Sequence, residues 1–234
     1  MITPPELARL EEPRQAIGTA EISLESEAIA GGMMCFGGKG SWANQANGLG
    51  LDGPVSKEEI ARLVDFYVSR GHEPCIEVAD CADESLLVQL EAHGFTLVEF
   101  EHVWYREIDP EEDLKQAMPH PLPEGLTVER VDPEDEAGVD EFIRASSSGF
   151  LKEGETLPQS NYDLGKRMIQ HPRSAGFTAK IDGVVVGGGA MEVTPETAAS
   201  VPIPIAESAE MATLAPIPTA WFSDILPEAP MRTE

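Results

Sequence analysis

The chain has 234 residues, 41% of them hydrophobic, enough to bury the core of one large or two small domains, which excludes disorder throughout. Sixteen basic against 42 acidic residues give a formal net charge of -26, a field that repels polyanions and argues against nucleic acid or an anionic membrane as a partner. No run approaches the roughly 18 consecutive apolar residues of a spanning helix, and MITPPELARLEEPRQ has prolines and acids where a secretory leader has a basic flank and an apolar run; a cytoplasmic protein is expected.

The three cysteines, Cys35, Cys75 and Cys81, make neither an even disulfide framework nor a CxxC pair, in keeping with a reducing compartment. His72 with Cys75 and Cys81 has irregular ligand spacing, so the cysteines read as small core residues and no metal is expected.

In chain order, Glu27 to Phe36 (EAIAGGMMCF) predicts a buried strand, with Gly31 and Gly32 marking a bulge or a close backbone approach. A glycine-rich loop, Gly37 to Gly53, follows. VSKEEIARLVDFYVSRG is a helix: Ser56 and Glu59 form a capping box, Ile60, Leu63, Val64 and Tyr67 recur on one face, and Gly71 suits the C-terminal cap. PCIEVAD, Pro74 to Asp80, reads as a short strand. Asp83 caps a second helix with Leu86, Leu87 and Leu90 as its stripe and Gly94 at its end, and Thr96 to Ile108 alternates like a strand.

Residues 109–125 lose periodicity and gain prolines and acids, the mark of a linker. Beyond it, LTVERV (Leu126 to Val131) is a strand, and a helix follows with Asp132 as cap and Val139, Phe142 and Ile143 facing inward. A further short helix fits near Tyr162 to Gln170. Strands Gly176 to Ile181 and Val184 to Val193 form a hairpin turning at Asp182-Gly183, a pair suited to a type I′ turn. After Thr194 there is no glycine, Arg232 is the one basic residue, and seven prolines punctuate an alanine-rich run; one short strand near Ala209 to Leu214 is expected in an otherwise irregular tail.

Two phosphate-loop patterns overlap in the glycine loop. GLGLDG, Gly48 to Gly53, has the G-x-G-x-x-G spacing, but SWANQAN before it is no strand, and Pro54 and Ser56 start the helix too late for a dinucleotide fingerprint. QANGLG, Gln45 to Gly50, fits [QR]-x-x-G-x-[GA]. GGKGS is no P-loop, since Gly40 follows Lys39. His93 and His102 fall at a helix end and on a strand surface, which does not make a catalytic pair.

The element orders on either side of the linker, with SWANQANGLGL, AHGF and IDGVVVGGGAMEV, resemble the GCN5-related N-acetyltransferase (GNAT) family, and in particular bacterial two-domain members with a degenerate N-terminal domain. The resemblance covers roughly residues 20 to 193. It implies an α/β fold built as two GNAT-like mixed-sheet parts. Residues 1–108 are the back half of the fold, 109–125 a linker, 126–193 the front half of a second copy, and 194–234 a Pro/Ala-rich tail. It also implies transfer of an acetyl group from acetyl-CoA to a small-molecule or peptide amine. The cofactor's pyrophosphate would meet Gln45, Asn47, Gly48 and Gly50, and the acceptor would meet Ser148, Phe150 and Glu153.

Two features depart from the family pattern. Leu90 stands where a tyrosine would protonate the leaving thiolate, so no catalytic residue is assigned, and the tail offers AEMATLAPIPTAWFSDILPEAP where a basic, glycine-containing pyrophosphate loop belongs. The latter fits a chain truncated or read out of frame near Thr194 to Leu214, or a diverged tail. A non-catalytic binding or scaffold protein is the rival expectation. A third arrangement, one permuted domain, requires Val184 to Val193 or Ala209 to Leu214 to join Glu27 to Phe36 in a single sheet.

Overall fold

The structure is a computed structural model that describes residues 2–107, 109, 111–112, 121–152 and 154–194, and the backbone of 198–204. The chain opens with a helix that its sequence hides, α1 (Pro4–Ile22). Proline is tolerated in a first turn but lacks the amide an interior turn needs, and Pro13 interrupts the middle of this helix. The Glu6 carboxylate closes the N-terminus by accepting from the Thr3 amide and hydroxyl, at 2.8 and 2.7 Å. The face that packs, Ala16, Thr19 and Ile22, lies in the second half of the helix.

The single strand expected over Glu27 to Phe36 is instead a hairpin. β1 (Glu25–Ile29) pairs antiparallel with β2 (Gly32–Phe36), and Ala30 and Gly31 take φ of 47° and 87°, the two left-handed positions of a type I′ turn. β1 exposes four of its five residues, whereas β2 buries Gly32, Met34 and Cys35, so β2 is the inner strand. β3 (Ala46–Asn47) adds to its other edge, and Ala46 bridges in parallel to Ile76, which is all that forms of the strand expected at Pro74 to Asp80.

α2 (Lys57–Val68) and α3 (Glu84–Ala92) form where their caps predict. Ser56 and Glu59 make the capping box, Asp83 accepts from the Ser85 amide at 2.9 Å, and Gly71 and Gly94 follow the helices at φ of 70° and 81°. Ile60, Leu63, Phe66 and Tyr67 of α2 and Leu86 and Leu90 of α3 pack with Ile29, Met34, Ala46 and Leu49 in one core. Beyond α3, the strand expected at Thr96 to Ile108 does not form. Residues 96–107 run outside any helix or strand and are exposed throughout, because alternation fits a pleat but cannot supply the neighbour that completes one.

β4 (Leu126–Arg130), β5 (Ser174–Ile181), β6 (Val184–Val193) and β7 (Ala198–Pro204) form a second sheet in the order β4-β5-β6-β7. β4 and β5 are antiparallel, and Asp182 and Gly183 turn the β5–β6 hairpin at φ of 50° and 81°. Between β4 and β5 lie α4 (Glu136–Ser148) and α5 (Gln159–Gln170). Asp135, not Asp132, caps α4: Asp132 accepts from the Glu134 amide and makes the turn that delivers Asp135 to the cap. β7 is a fourth strand nearer in sequence than the one expected at Ala209 to Leu214, a segment outside the described residues. The described strands fall into two sheets, and Val184–Val193 lies in the second, not beside β1 and β2, while Ala209 to Leu214, the other strand the permuted domain allows, lies outside the described residues.

The chain divides into two compact units. Among described residues, one holds 2–99, 154–174, 192–194 and 198–199, and the other holds 100–107, 109, 111–112, 121–152, 175–191 and 200–204. α5 therefore packs in the first unit, where Leu164 joins Ile22 and Ala43. In the second, Phe142 of α4 lies under Gly188, where a Cβ would stand 3.4 Å from the ring, and Lys180 bridges to Glu129 and Glu141 at 3.1 and 3.3 Å.

Among described glycines the tightest backbone approach is at Gly32, where an added Cβ would stand 2.6 Å from the Gly48 carbonyl carbon and against the Asn47 oxygen. Both obstacles are backbone and cannot swing aside. Gly32→Ala is expected to cost on the order of 3 kcal/mol, read as a lowered midpoint in urea unfolding, with an unchanged midpoint disproving the close approach.

Candidate functional site

The loop Gln45 to Gly50 sits in the first unit between β2, α1 and the N-terminus of α3. It is nearly all buried, with Ala46 and Asn47 at 0% exposure and Leu49 at 1%. A pyrophosphate site needs amide hydrogens aimed into open space. Here they are spent on the protein. The Ala46 amide donates to the Cys75 carbonyl at 3.0 Å, and the Gly50 amide to the Ala30 carbonyl at 2.9 Å. The Gly48 amide donates to the Glu12 carboxylate at 3.1 Å, so a side chain of α1 stands where an anionic ligand would.

The Asn47 side-chain amide and the Gln45 main chain are also engaged. Asn47 Nδ2 donates to Glu77 at 2.7 Å, and Gln15 of α1 donates to the same carboxylate oxygen at 2.6 Å. The Gln45 carbonyl accepts from the Cys35 amide at 3.1 Å. Gly48 and Gly50 adopt φ of 76° and 73°, so both glycines serve the turn itself. Glu12 lies among carboxylates: burial pushes its pKa above the usual range, the Gly48 amide opposes that, and Glu77 and Glu11 add to the rise. Acetyl-CoA's pyrophosphate does not fit this donor set, because its place is taken by a carboxylate and its surroundings are negative.

The neighbouring loop is braced as well. Asn44 accepts from the Gly37 amide and donates to the Gly38 carbonyl, both at 2.8 Å, and the Trp42 amide donates to Asn161 of α5 at 3.0 Å. Asn44 is thus a loop staple, while the Trp42 ring is 50% exposed. Tyr67, a phenol that the helix pattern marks only as core, accepts from the Cys35 amide at 3.1 Å. Burial raises the pKa of Tyr67 and pushes the Cys35 thiol up to about 11, which leaves both as poor proton donors or nucleophiles.

Of the acceptor-side residues, Ser148 turns its hydroxyl back to the Ala145 carbonyl at 2.7 Å and Phe150 is 69% exposed just beyond α4. Both lie in the second unit, and Glu153 lies outside the described residues. Among described residues there is no group of three or more His, Cys, Asp or Glu placed to hold a metal. No described helix is long and apolar enough to cross a membrane.

Sequence reasoning missed Glu12, 36 residues from Gly48, because α1 has no regular stripe to announce it. It missed Glu192 too. Arg14 of α1 meets Glu192 at 2.6 Å, and Arg173 meets it at 3.0 Å and also pairs with Glu21. Gly18 makes room for that carboxylate, since a Cβ there would stand 2.7 Å from it.

Two measurements probe this region. Glu12 binds its proton more tightly in the folded than in the unfolded chain, so its ionisation lowers stability as pH rises from about 4.5 through its raised folded value. Glu12→Gln is therefore expected to gain stability relative to the parent between pH 4 and pH 7 in thermal melts; a difference that is flat or of opposite sign contradicts the half-buried carboxylate. Tyr67→Phe removes one acceptor from the Cys35 amide, which still has the Gln45 carbonyl, and should cost about 1 kcal/mol in urea unfolding.

No protein-family model matches the chain, and no curated protein matches it. Among solved structures it is similar to a GCN5-related N-acetyltransferase from Kribbella flavida, with a TM-score of 0.59 and 15% sequence identity over 92% of this chain and 79% of that one. The chain has the α/β fold of a GCN5-related N-acetyltransferase.

Proposed function

We propose that the protein is a cytoplasmic acetyl-CoA-dependent N-acetyltransferase that acetylates a small-molecule or peptide amine, with the cofactor taken at the β4–β7 sheet and not at the N-terminal loop. The observation that carries this reading is the sheet order β4-β5-β6-β7 with two helices between β4 and β5, within a chain of GNAT fold. β7 provides the fourth strand from which a cofactor-holding segment would continue. Residues Gln45, Asn47, Gly48 and Gly50 then have a structural task, closing the first unit. Ser148, Phe150 and Glu153 are the acceptor-side candidates, in keeping with an exposed aromatic at the end of α4.

A second reading, a non-catalytic GNAT-like binding or scaffold protein, is favoured by one observation: the single loop with a pyrophosphate pattern has its Gly48 amide occupied by Glu12. Calorimetric titration with acetyl-CoA at low salt separates the two. The enzyme reading expects saturable heat with Kd of roughly 1–100 μM, about -8 to -5 kcal/mol, unchanged in Glu12→Gln. Absence of heat up to about 1 mM, a Kd that corresponds to roughly -4 kcal/mol, would leave the scaffold reading. Binding that strengthens in Glu12→Gln would return the cofactor to the N-terminal loop.

A further inference from the structure

A groove of about 530 Å³ opens between the outer strand β1 and helix α2, wholly within the first unit. Two arginines line it and reach across to β1. Arg70, just beyond α2, donates to Glu25 at 2.6 Å and to the Phe66 carbonyl at 2.6 Å, with its guanidinium 3.7 Å from the Phe66 ring centroid. Arg62, earlier on the same helix, donates to the Ala28 carbonyl. Between these two braces the buried Met34 and Phe66 give the groove an apolar base.

Glu27 of β1 and Asp65 of α2 also line the groove, and among described residues neither carboxylate has a hydrogen bond or an ion pair. Glu27 stands opposite Met34 in the β1–β2 register, on the face turned to α2, and next in sequence to the carbonyl that holds Arg62. Asp65 follows Arg62 at i+3, a spacing that sets Cβ atoms about 5–6 Å apart on a helix. Opposite charges are thus neighbours here, yet Arg62 pairs with neither carboxylate. It gives one donor to a backbone oxygen, and its charge also reaches Glu59, whose carboxylate is held by Ser56.

We propose that this groove binds a free α-amino acid with an apolar side chain. A simple anion entering it would meet two carboxylates, and a simple cation would meet Arg62. An α-amino acid carries both signs on one carbon, so its carboxylate takes the remaining Arg62 donors while its ammonium sits between Glu27 and Asp65. The side chain then lies on Met34 and Phe66, whose apolar surface favours leucine or methionine over a polar residue. Arg62, Glu27 and Asp65 are all exposed, so each ion pair contributes little and the affinity is low. The site shares no residue with those assigned to acetyl transfer, and its occupancy is independent of that reaction.

Calorimetric titration of the full chain with L-leucine, without acetyl-CoA, is expected to give saturable heat with Kd of roughly 0.1–1 mM. L-Alanine should bind about 10-fold or more weakly, since it lacks the carbons that reach the apolar base. 3-Methylbutylamine and 4-methylpentanoate keep the leucine stem but lack its carboxylate or its ammonium, and each should also bind about 10-fold or more weakly. Glu27→Gln and Asp65→Asn remove charges that hold nothing in the fold; each should weaken leucine about 3- to 5-fold, and the double variant about 10-fold or more, with the urea midpoint unchanged. Absence of heat with leucine, methionine and phenylalanine up to about 10 mM overturns the site. Binding of 3-methylbutylamine as tight as that of leucine makes the groove a cation site and overturns the amino-acid assignment. Leucine binding that is unchanged in the double variant puts the ligand elsewhere on the protein and overturns the groove.

Discussion

A carboxylate on the Gly48 amide sets the shape of the first unit. Glu12 reaches the loop from α1, and once it is seated the rest of that helix is fixed along the loop and along β2, with Gln15 one turn on at Glu77 and Ala16 against Gly48. β2 can lie close to the loop because Gly32 has no side chain. The same contact decides the chemistry, since an amide engaged by a half-buried carboxylate is not available to a phosphate, and the local field repels one.

The wider charge balance follows the same logic. Among described residues, several guanidinium groups are engaged by the protein itself: Arg9 by the Leu51 carbonyl, Arg62 by the Ala28 carbonyl, Arg167 by the Ile22 carbonyl, and Arg14 and Arg173 by Glu192. Burial works against the Arg14 charge, and the Glu11 and Glu192 carboxylates more than compensate, so its pKa is raised. In a chain with 16 basic residues, this use of arginine binds segments distant in sequence and leaves little positive surface to attract an anionic cofactor.

What the sequence reveals here is what local chemistry determines. The Ser56–Glu59 box, the Asp83 cap and the Asp182-Gly183 turn each decide their structure within a few residues, and each forms where the pattern puts it. Asp132 and Asp135 are chemically equal cap candidates, and the helix begins at the one that the preceding turn delivers. α1 carries prolines at both its start and its middle, so its stability comes from tertiary contacts that propensity cannot anticipate. The hairpin at Ala30-Gly31 resembles a bulge until β1 is seen to be the exposed outer strand. Of the candidate site, the loop's position was legible from QANGLG, but its closure depends on Glu12 and Glu77, whose approach is made by the fold.

α5 lies more than fifty residues beyond the first unit's main stretch, yet packs its Leu164 with Ile22 of α1, and residues 192–194 return to that unit as well. The boundary between the units is therefore not a point along the chain. A single cut within 109–125 would yield two fragments, neither holding a whole unit: the first would lack a helix, and the second would carry that helix with its apolar face bare. Such fragments are built to recombine, so a nicked chain would hold together as a non-covalent pair while either piece expressed alone would be short of a core.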